Sequence, residues 1–230
     1  MSVAKHLNLT PDQYDERIRT LIPHYDELIA QTGNSLHLSA RRIESIVDLG
    51  IGTGALARAC LEVVPRARIW GIDIDEAMMA LAPERLGRHG ARVELVHGDF
   101  SEAAVPSCDA IVASYALHHI RQAKAKQRFY RRCFEAIRPG GIFVSGDCAP
   151  SAVASAFARD LEVWFTHLGR TFGRAKGKKV YESWAEEDVY LPLSQEIRML
   201  ERAGFVVEVP WRRTPFAVMV GLKPSSGPKA

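Results

Sequence analysis

The stretch IVDLGIGTGALA, residues 46–57, holds an apolar run, one carboxylate and three glycines at alternate positions. It constrains the fold more than any other segment, because it reads as a strand delivered through a tight glycine turn into a helix. Glycines supply the turn and let a ligand approach the main chain, while the helix starting near Gly54 aims free N–H groups at that ligand. Gly50-Ile51-Gly52-Thr53-Gly54-Ala55 formally satisfies the nucleotide-binding fingerprint, with alanine at the last place.

Around this turn, short apolar runs alternate with amphipathic stretches. Strands are predicted near 44–49, 68–73, 92–96, 109–114 and 141–147, separated by helices near 54–64, 76–86 and 122–138. Such alternation means parallel strands joined by right-handed crossovers. The rhythm then changes. A helix over about 152–169 leads into a glycine- and lysine-rich segment, then a helix capped by Ser194 and stopped by Gly204. FVVEV and TPFAVMVGLK follow with only PWRR between them, too short a link for a crossover helix, so these strands must be antiparallel neighbours. At the other end, Thr10-Pro11-Asp12-Gln13 reads as a helix start, Pro23 interrupts that helix, and an apolar face continues to 32–34.

The 230 residues, 47% apolar and 25% charged, suffice for one substantial core, so a single domain over 1–230 is expected. Its parts would be a helical lid (1–40), a ligand-binding half (41–150) and a second half (151–230) with a mobile loop over 169–190. No apolar run approaches the ~20 residues needed to cross a bilayer, and the first twenty residues lack the apolar centre of a secretory signal, so a cytoplasmic protein is expected. Cys60, Cys108, Cys133 and Cys148 are widely spaced, which argues against a disulfide framework or a cysteine metal cluster. A net charge of +3 is too balanced for nucleic-acid binding by the whole surface.

Asp48 discriminates between ligands. It stands two residues before the first glycine, where a dinucleotide would put its pyrophosphate. At ~5 Å and an effective dielectric of ~20, each like-charge pair would cost roughly 3 kcal/mol, and a cationic ligand would gain similarly. Asp73, at the end of the second strand, is placed to accept both ribose hydroxyls of an adenosine. S-adenosylmethionine, with an amino group and a sulfonium beside its adenosine, fits this pair of acids better than NAD.

Several ordered motifs carry a wider resemblance: VDLGIGTG (47–54), GIDID (71–75), HGDF (97–100), CDAIVASYALHHI (108–120) and RPGGIFVSGD (138–147). Over most of residues 40–222 the chain resembles the class I S-adenosylmethionine-dependent methyltransferases. The resemblance implies an α/β, Rossmann-like doubly wound sheet of seven strands, mostly parallel with an antiparallel C-terminal strand. It implies that Asp48 and Gly50, Gly52 and Gly54 contact the methionine part and that Asp73 holds the ribose. Ile74 and Met78 would flank the adenine, Asp99 and Phe100 would reach its edge, and Ser114 and Tyr115 would line the sulfonium side. RTLIPHYDEL resembles the entry segment of a subgroup that includes the carboxy-S-adenosylmethionine synthases of tRNA modification, whose tyrosine matching Tyr25 touches the cofactor. Here His24 stands where the subgroup has glycine, and 170–190 has no match in it.

Methyl transfer is an in-line displacement, so alignment supplies most of the barrier reduction and a base is needed only where the acceptor must lose a proton. His119 and His118, just past the fourth strand, are the candidate bases, with His119 favoured. No metal site is expected, since adjacent histidines in an extended segment point to opposite sides and no third ligand has suitable spacing. Arg170, Arg174, Lys176, Lys178 and Lys179 carry no intervening carboxylate; a solvated loop is the default, and a gate for anionic substrates or a nucleic-acid contact with Trp184 the sharper alternative. The expected activity is methyl transfer to an oxygen or nitrogen of a small-molecule acceptor, yielding S-adenosylhomocysteine. RNA base methylation, carboxy-cofactor synthesis and non-catalytic cofactor binding stand as alternatives.

Overall fold

A computed structural model describes residues 11–184 and 188–225; the predicted Thr10 cap lies outside them. Seven strands form one sheet in the order β3-β2-β1-β4-β5-β7-β6. They are β1 Ser45–Leu49, β2 Arg68–Asp73, β3 Val93–His97, β4 Cys108–Ser114, β5 Ile137–Cys148, β6 Val206–Arg213 and β7 Phe216–Leu222. All pairs from β3 to β5 are parallel, and β7 runs antiparallel to both β5 and β6. The expected doubly wound sheet with its reversed strand is therefore present. The hairpin turn lies at Thr214-Pro215 and not at PWRR, because β6 runs on through Trp211 to Arg213 after a register shift between Glu208 and Trp211.

Helices α1 Pro11–Leu21, α2 Tyr25–Asn34, α3 Ala55–Val63, α7 Ala154–Phe172 and α8 Arg174–Trp184 contribute to one core, and α6 Ala123–Ala136 with α9 Leu193–Ala203 packs the other. Side chains on β1 alternate between them: Ile46 enters the first, Val47 and Leu49 the second. This is the two-sided burial expected of a parallel sheet. The helix predicted over 76–86 is two short ones, α4 Glu76–Met79 and α5 Ala82–Leu86, the second carrying Pro83 in its first turn. The third correction is at Ser194: the N-cap position of α9 is Pro192 and its first residue Leu193.

The fourth concerns the basic segment, which is helical. Helix α7 runs to Phe172, Gly173 makes the corner with φ 77, and α8 follows at once. Gly177 is buried in the contact between them, since a Cβ there would lie 2.9 Å from the Leu168 side chain. Arg174 makes a two-pronged ion pair with Glu162 at 2.7 and 2.8 Å, and Lys178 reaches Glu182 at 3.7 Å. Residues 185–187 of the expected loop lie outside the described ones. No helix among the described residues is long and apolar enough to cross a membrane.

Asp109 ties the lower edge of the sheet together. Its carboxylate accepts from the Glu44 and Ser45 N–H groups at 3.0 Å and from Arg41 and Arg138 at 2.5 and 3.0 Å. Burial pushes its carboxyl up, yet these four donors outweigh burial and hold it at about 2. Both guanidinium groups are about 40% open to solvent, so the pairs are discounted. Asp109→Ala should cost about 2 kcal/mol, mostly through orphaned donors. Because the folded value lies below that of the unfolded chain, this stability is present above about pH 4 and is lost as pH falls toward about 2. Urea melts of both proteins between pH 2.5 and pH 7 check the magnitude and the window.

Candidate active site

Strands β1, β2 and β4 end side by side, and their carboxyl ends open into a cavity of ≈ 330 Å³. The glycine turn forms its floor. Gly50, Gly52 and Gly54 all have positive φ, at 75°, 49° and 80°. Gly50 is irreplaceable for a second reason, since a Cβ there would sit 2.8 Å from that of Ala116. Asp73 stabilises the turn as well as facing the cavity: Oδ2 accepts from the Gly52 N–H at 2.7 Å and Oδ1 from the Asp75 N–H at 2.9 Å.

Of the residues expected to bind the cofactor, Gly50, Gly52, Asp73, Ile74, Met78, Asp99, Phe100, Ser114 and Tyr115 line this cavity, together with His119. Asp99 serves two ends at once, since its Oδ1 also accepts from the Ser101 N–H at 2.8 Å. Three residues lie elsewhere. Gly54 caps α3 and faces Ala82 and Leu86. Tyr25 is buried beneath the cavity wall, its ring stacked on that of Tyr115 at 5.7 Å. Asp48 is 1% exposed behind the turn, among β1's packed side chains and near the Ala57 N–H and Cys60.

Neither Asp48 oxygen has a hydrogen bond of normal geometry among the described residues. Burial, reinforced by the nearby charge of Asp73, pushes its carboxyl up to about 8, with the Ala57 N–H opposing. At neutral pH the group is thus mostly a neutral acid, and the long-range charge argument made from the sequence loses force. In the cofactor-free protein, folding takes up a proton here, so Asp48's contribution is fully favourable below about pH 4 and is lost as pH rises through about 8. Asp48→Asn should therefore melt higher than wild type at pH 8, with a gap on the order of a few kcal/mol that narrows toward pH 4.5. Paired thermal melts across that range would show the opposite slope if the carboxylate were held charged.

A second, smaller chamber of ≈ 50 Å³ adjoins the first, and Tyr14, Tyr115 and His119 line both. Its walls are mostly aromatic and apolar, from Trp164, Trp184, Tyr190, Ile18 and Ile22. No lysine or arginine lines it among the described residues. Tyr115 has φ 49, a conformation costly for a bulky residue, and its buried hydroxyl has no hydrogen-bond partner among the described residues. Helix α1 forms one wall of the chamber through Tyr14 and Ile18. It is held by Trp164 Nε1 donating to Leu21 O at 2.9 Å, by Thr53 Oγ1 donating to Asp15 at 2.8 Å, and by the Asp15–Arg85 ion pair. The entry to α2 shows why glycine suits the position of His24 in similar chains, because His24 itself adopts φ 60, ψ 23.

The two histidines do not point apart. Leu117–His119 is a 3₁₀ turn, and it brings the rings to 4.2 Å between centroids. His118 lies in the wall of the small chamber, its Nδ1–H donating to Asp147 Oδ1 at 2.7 Å. Burial alone would lower its pKa; the Asp147 carboxylate outweighs burial and raises it. His119 is lowered by burial and by its neighbour His118. Asp147, the last residue of the RPGGIFVSGD motif, and Asp188 are not singled out as site residues by the sequence, since β5 and the segment after α8 meet the turn only through the fold. Asp188 Oδ1 lies 3.2 Å from His119 Nδ1 and 3.7 Å from His118 Nε2.

Comparison with known proteins matches this geometry. Residues 46–141 match the family described as Methyltransferase domain. Residues 46–141 thus carry a methyltransferase domain, in line with the resemblance of the longer stretch to the class I S-adenosylmethionine-dependent methyltransferases. It is 24% identical over 213 residues to the carboxy-S-adenosyl-L-methionine synthase of Nautilia profundicola, covering 91% of this chain and 90% of that one. Among solved structures it is similar to an O-methyltransferase family protein from Burkholderia thailandensis, with TM-score 0.66 and 14% identity over 94% of this chain and 60% of that one. It is also similar to human N-acetylserotonin methyltransferase in complex with SAM, with TM-score 0.57 and 16% identity over 95% and 55%. The large cavity suits this cofactor: bare backbone at Gly50 and Gly52, an acid at the β2 end, and Ile74, Met78 and Phe100 as apolar walls.

Proposed function

We propose that this methyltransferase moves a methyl group to the hydroxyl or amino group of a small, uncharged acceptor whose reacting end enters the aromatic chamber. The observation that carries this reading is the pair of chambers joined at Tyr14, Tyr115 and His119, with a histidine–aspartate pair in the second. When bound, S-adenosylmethionine supplies an electrophilic methyl on a sulfonium. The chain's residues hold, dry and deprotonate. Gly50 and Gly52 hold the methionine part and Asp73 the ribose, while Tyr14, Tyr115 and Trp164 exclude water, which lets alignment supply most of the acceleration. His118 is the proposed base, with Asp147 fixing its tautomer so that Nε2 faces the chamber; this moves the sequence-based preference from His119 to His118. At ≈ 50 Å³ the closed chamber is smaller than a cavity that takes up benzene, so it holds only the acceptor's reacting group unless α1 moves.

A second reading, carboxy-cofactor synthesis, is favoured by the relatives that match nearly the whole chain. Against it, no lysine or arginine among the described residues lines the small chamber to pair with a carboxylate. In the basic segment that motivates RNA base methylation, Arg174 pairs with Glu162 on α7 and Lys178 with Glu182 one turn on, so two of its five cations are already engaged with acids.

S-adenosylhomocysteine should bind by calorimetry, and Asp73→Ala should weaken it at least tenfold through the loosened turn and the lost acid. With a panel of phenols and amines as acceptors, mass spectrometry of the nucleoside product should show S-adenosylhomocysteine; a carboxylated cofactor instead would establish the second reading. His118→Ala should lower kcat by 10²–10⁴ with KM little changed. Unchanged turnover would remove the base assignment.

A further inference from the structure

The geometry points to a divalent-cation site made by His118 Nε2, His119 Nδ1 and Asp188 Oδ1 at the wall of the small chamber. Each of the three residues offers one ligand atom within 4.8 Å of those of the other two. A tetrahedral ion with bonds of 2.0–2.1 Å keeps its ligand atoms about 3.3 Å apart. The distances from Asp188 Oδ1 to His119 Nδ1 and His118 Nε2, 3.2 and 3.7 Å, bracket that spacing.

The surrounding groups also match. His118 Nδ1–H is engaged by Asp147 at 2.7 Å, so the neutral ring presents a lone pair at Nε2. Nε2 faces Asp188 Oδ1 at 3.7 Å, beyond hydrogen-bond reach and within the span that one ion can bridge. A carboxylate behind a ligating histidine is the common outer partner of zinc and similar ions. The other Asp188 oxygen accepts from the Tyr190 hydroxyl at 2.6 Å, which orients Oδ1 toward the two rings. Asp188 is 3% exposed and His118 9%, while His119, at 37%, lines the larger cavity and offers a path of entry. Two imidazoles and one carboxylate suit a first-row divalent transition ion such as Zn²⁺, Co²⁺ or Fe²⁺ in preference to Mg²⁺ or Ca²⁺.

For its role in turnover this inference rests on the acceptor-chamber reading above; for binding it does not. With an ion in place, His118 serves as a ligand, and the ion takes over lowering the pKa of an acceptor hydroxyl.

The test uses the full chain, stripped with chelator and titrated with ZnCl₂ by calorimetry and with CoCl₂ by visible absorption. One Zn²⁺ per chain should bind with micromolar or tighter Kd, and Co²⁺ should develop the intense absorption of a low-coordinate nitrogen and oxygen site. His119→Ala and Asp188→Asn should each weaken binding at least 100-fold. Asp147→Asn, which touches no ligand atom of the ion, should weaken it about tenfold. Thermal melts of each variant establish that the fold survives, and the partly exposed His119 gives the safest of them. Absence of binding at 1:1 stoichiometry, or binding that persists in both His119→Ala and Asp188→Asn, overturns the site. Calorimetry with S-adenosylhomocysteine on the same samples keeps the two readings apart: loss of nucleoside binding alone would defeat the methyltransferase assignment and leave the cation site standing.

Discussion

The structure depends on a reversal of strand order at β1. Because β1 pairs with β2 on one side and with β4 on the other, the connections leaving β1 and β4 diverge to opposite faces of the sheet. A crevice opens where they part, at the carboxyl ends of the strands. The candidate site gathers there: the glycine turn after β1, the acid at the end of β2, and the aromatic and histidine-bearing turn after β4. Close packing at this point needs bare backbone on both strands. A Cβ on Gly71 would fall 2.2 Å from the Ile51 side chain, so the neighbouring strand as well as the turn is shaped by glycine.

The second chamber arises from a different arrangement. Helix α1 crosses the mouth of the crevice, and α7 with α8 backs it, joined to α1 through the indole of Trp164. The Asp15 contacts to Thr53 and Arg85 tie this cover to the nucleotide-side turn and to α5. The two chambers thus share walls, and any motion of α1 that widens the smaller one also disturbs the contacts to the glycine turn.

Two acids show how burial reverses expectations. Asp109 is surrounded by donors and stays charged, whereas Asp48 is buried without them and is held mostly protonated at neutral pH. From sequence both are single carboxylates in apolar strands. Only the count of donors within reach separates them, and that count depends on Arg41, Arg138 and the start of β1 converging from distant positions.

Local chemistry made much of this protein legible in its chain. Positive-φ turns demand glycine at 50, 52 and 54, period-two and period-3.6 patterns separate strands from helices, and the short link before residue 216 forces an antiparallel hairpin. From those follow the sheet, the crevice and the cavity-lining Gly50, Gly52 and Asp73, while the resemblance supplied Ile74, Met78, Asp99, Phe100, Ser114 and Tyr115. Tertiary packing decided the rest. It turned the lysine-rich segment into a helix by giving Gly177 a surface to bury against, and moved Tyr25 and Asp48 behind the wall. It also curled the two histidines into one turn and brought Asp147 and Asp188 to them. The reason is range: turn chemistry and periodicity act over a few neighbouring residues, whereas the charge and orientation of a buried side chain are set by groups that only the completed fold brings within a few ångströms.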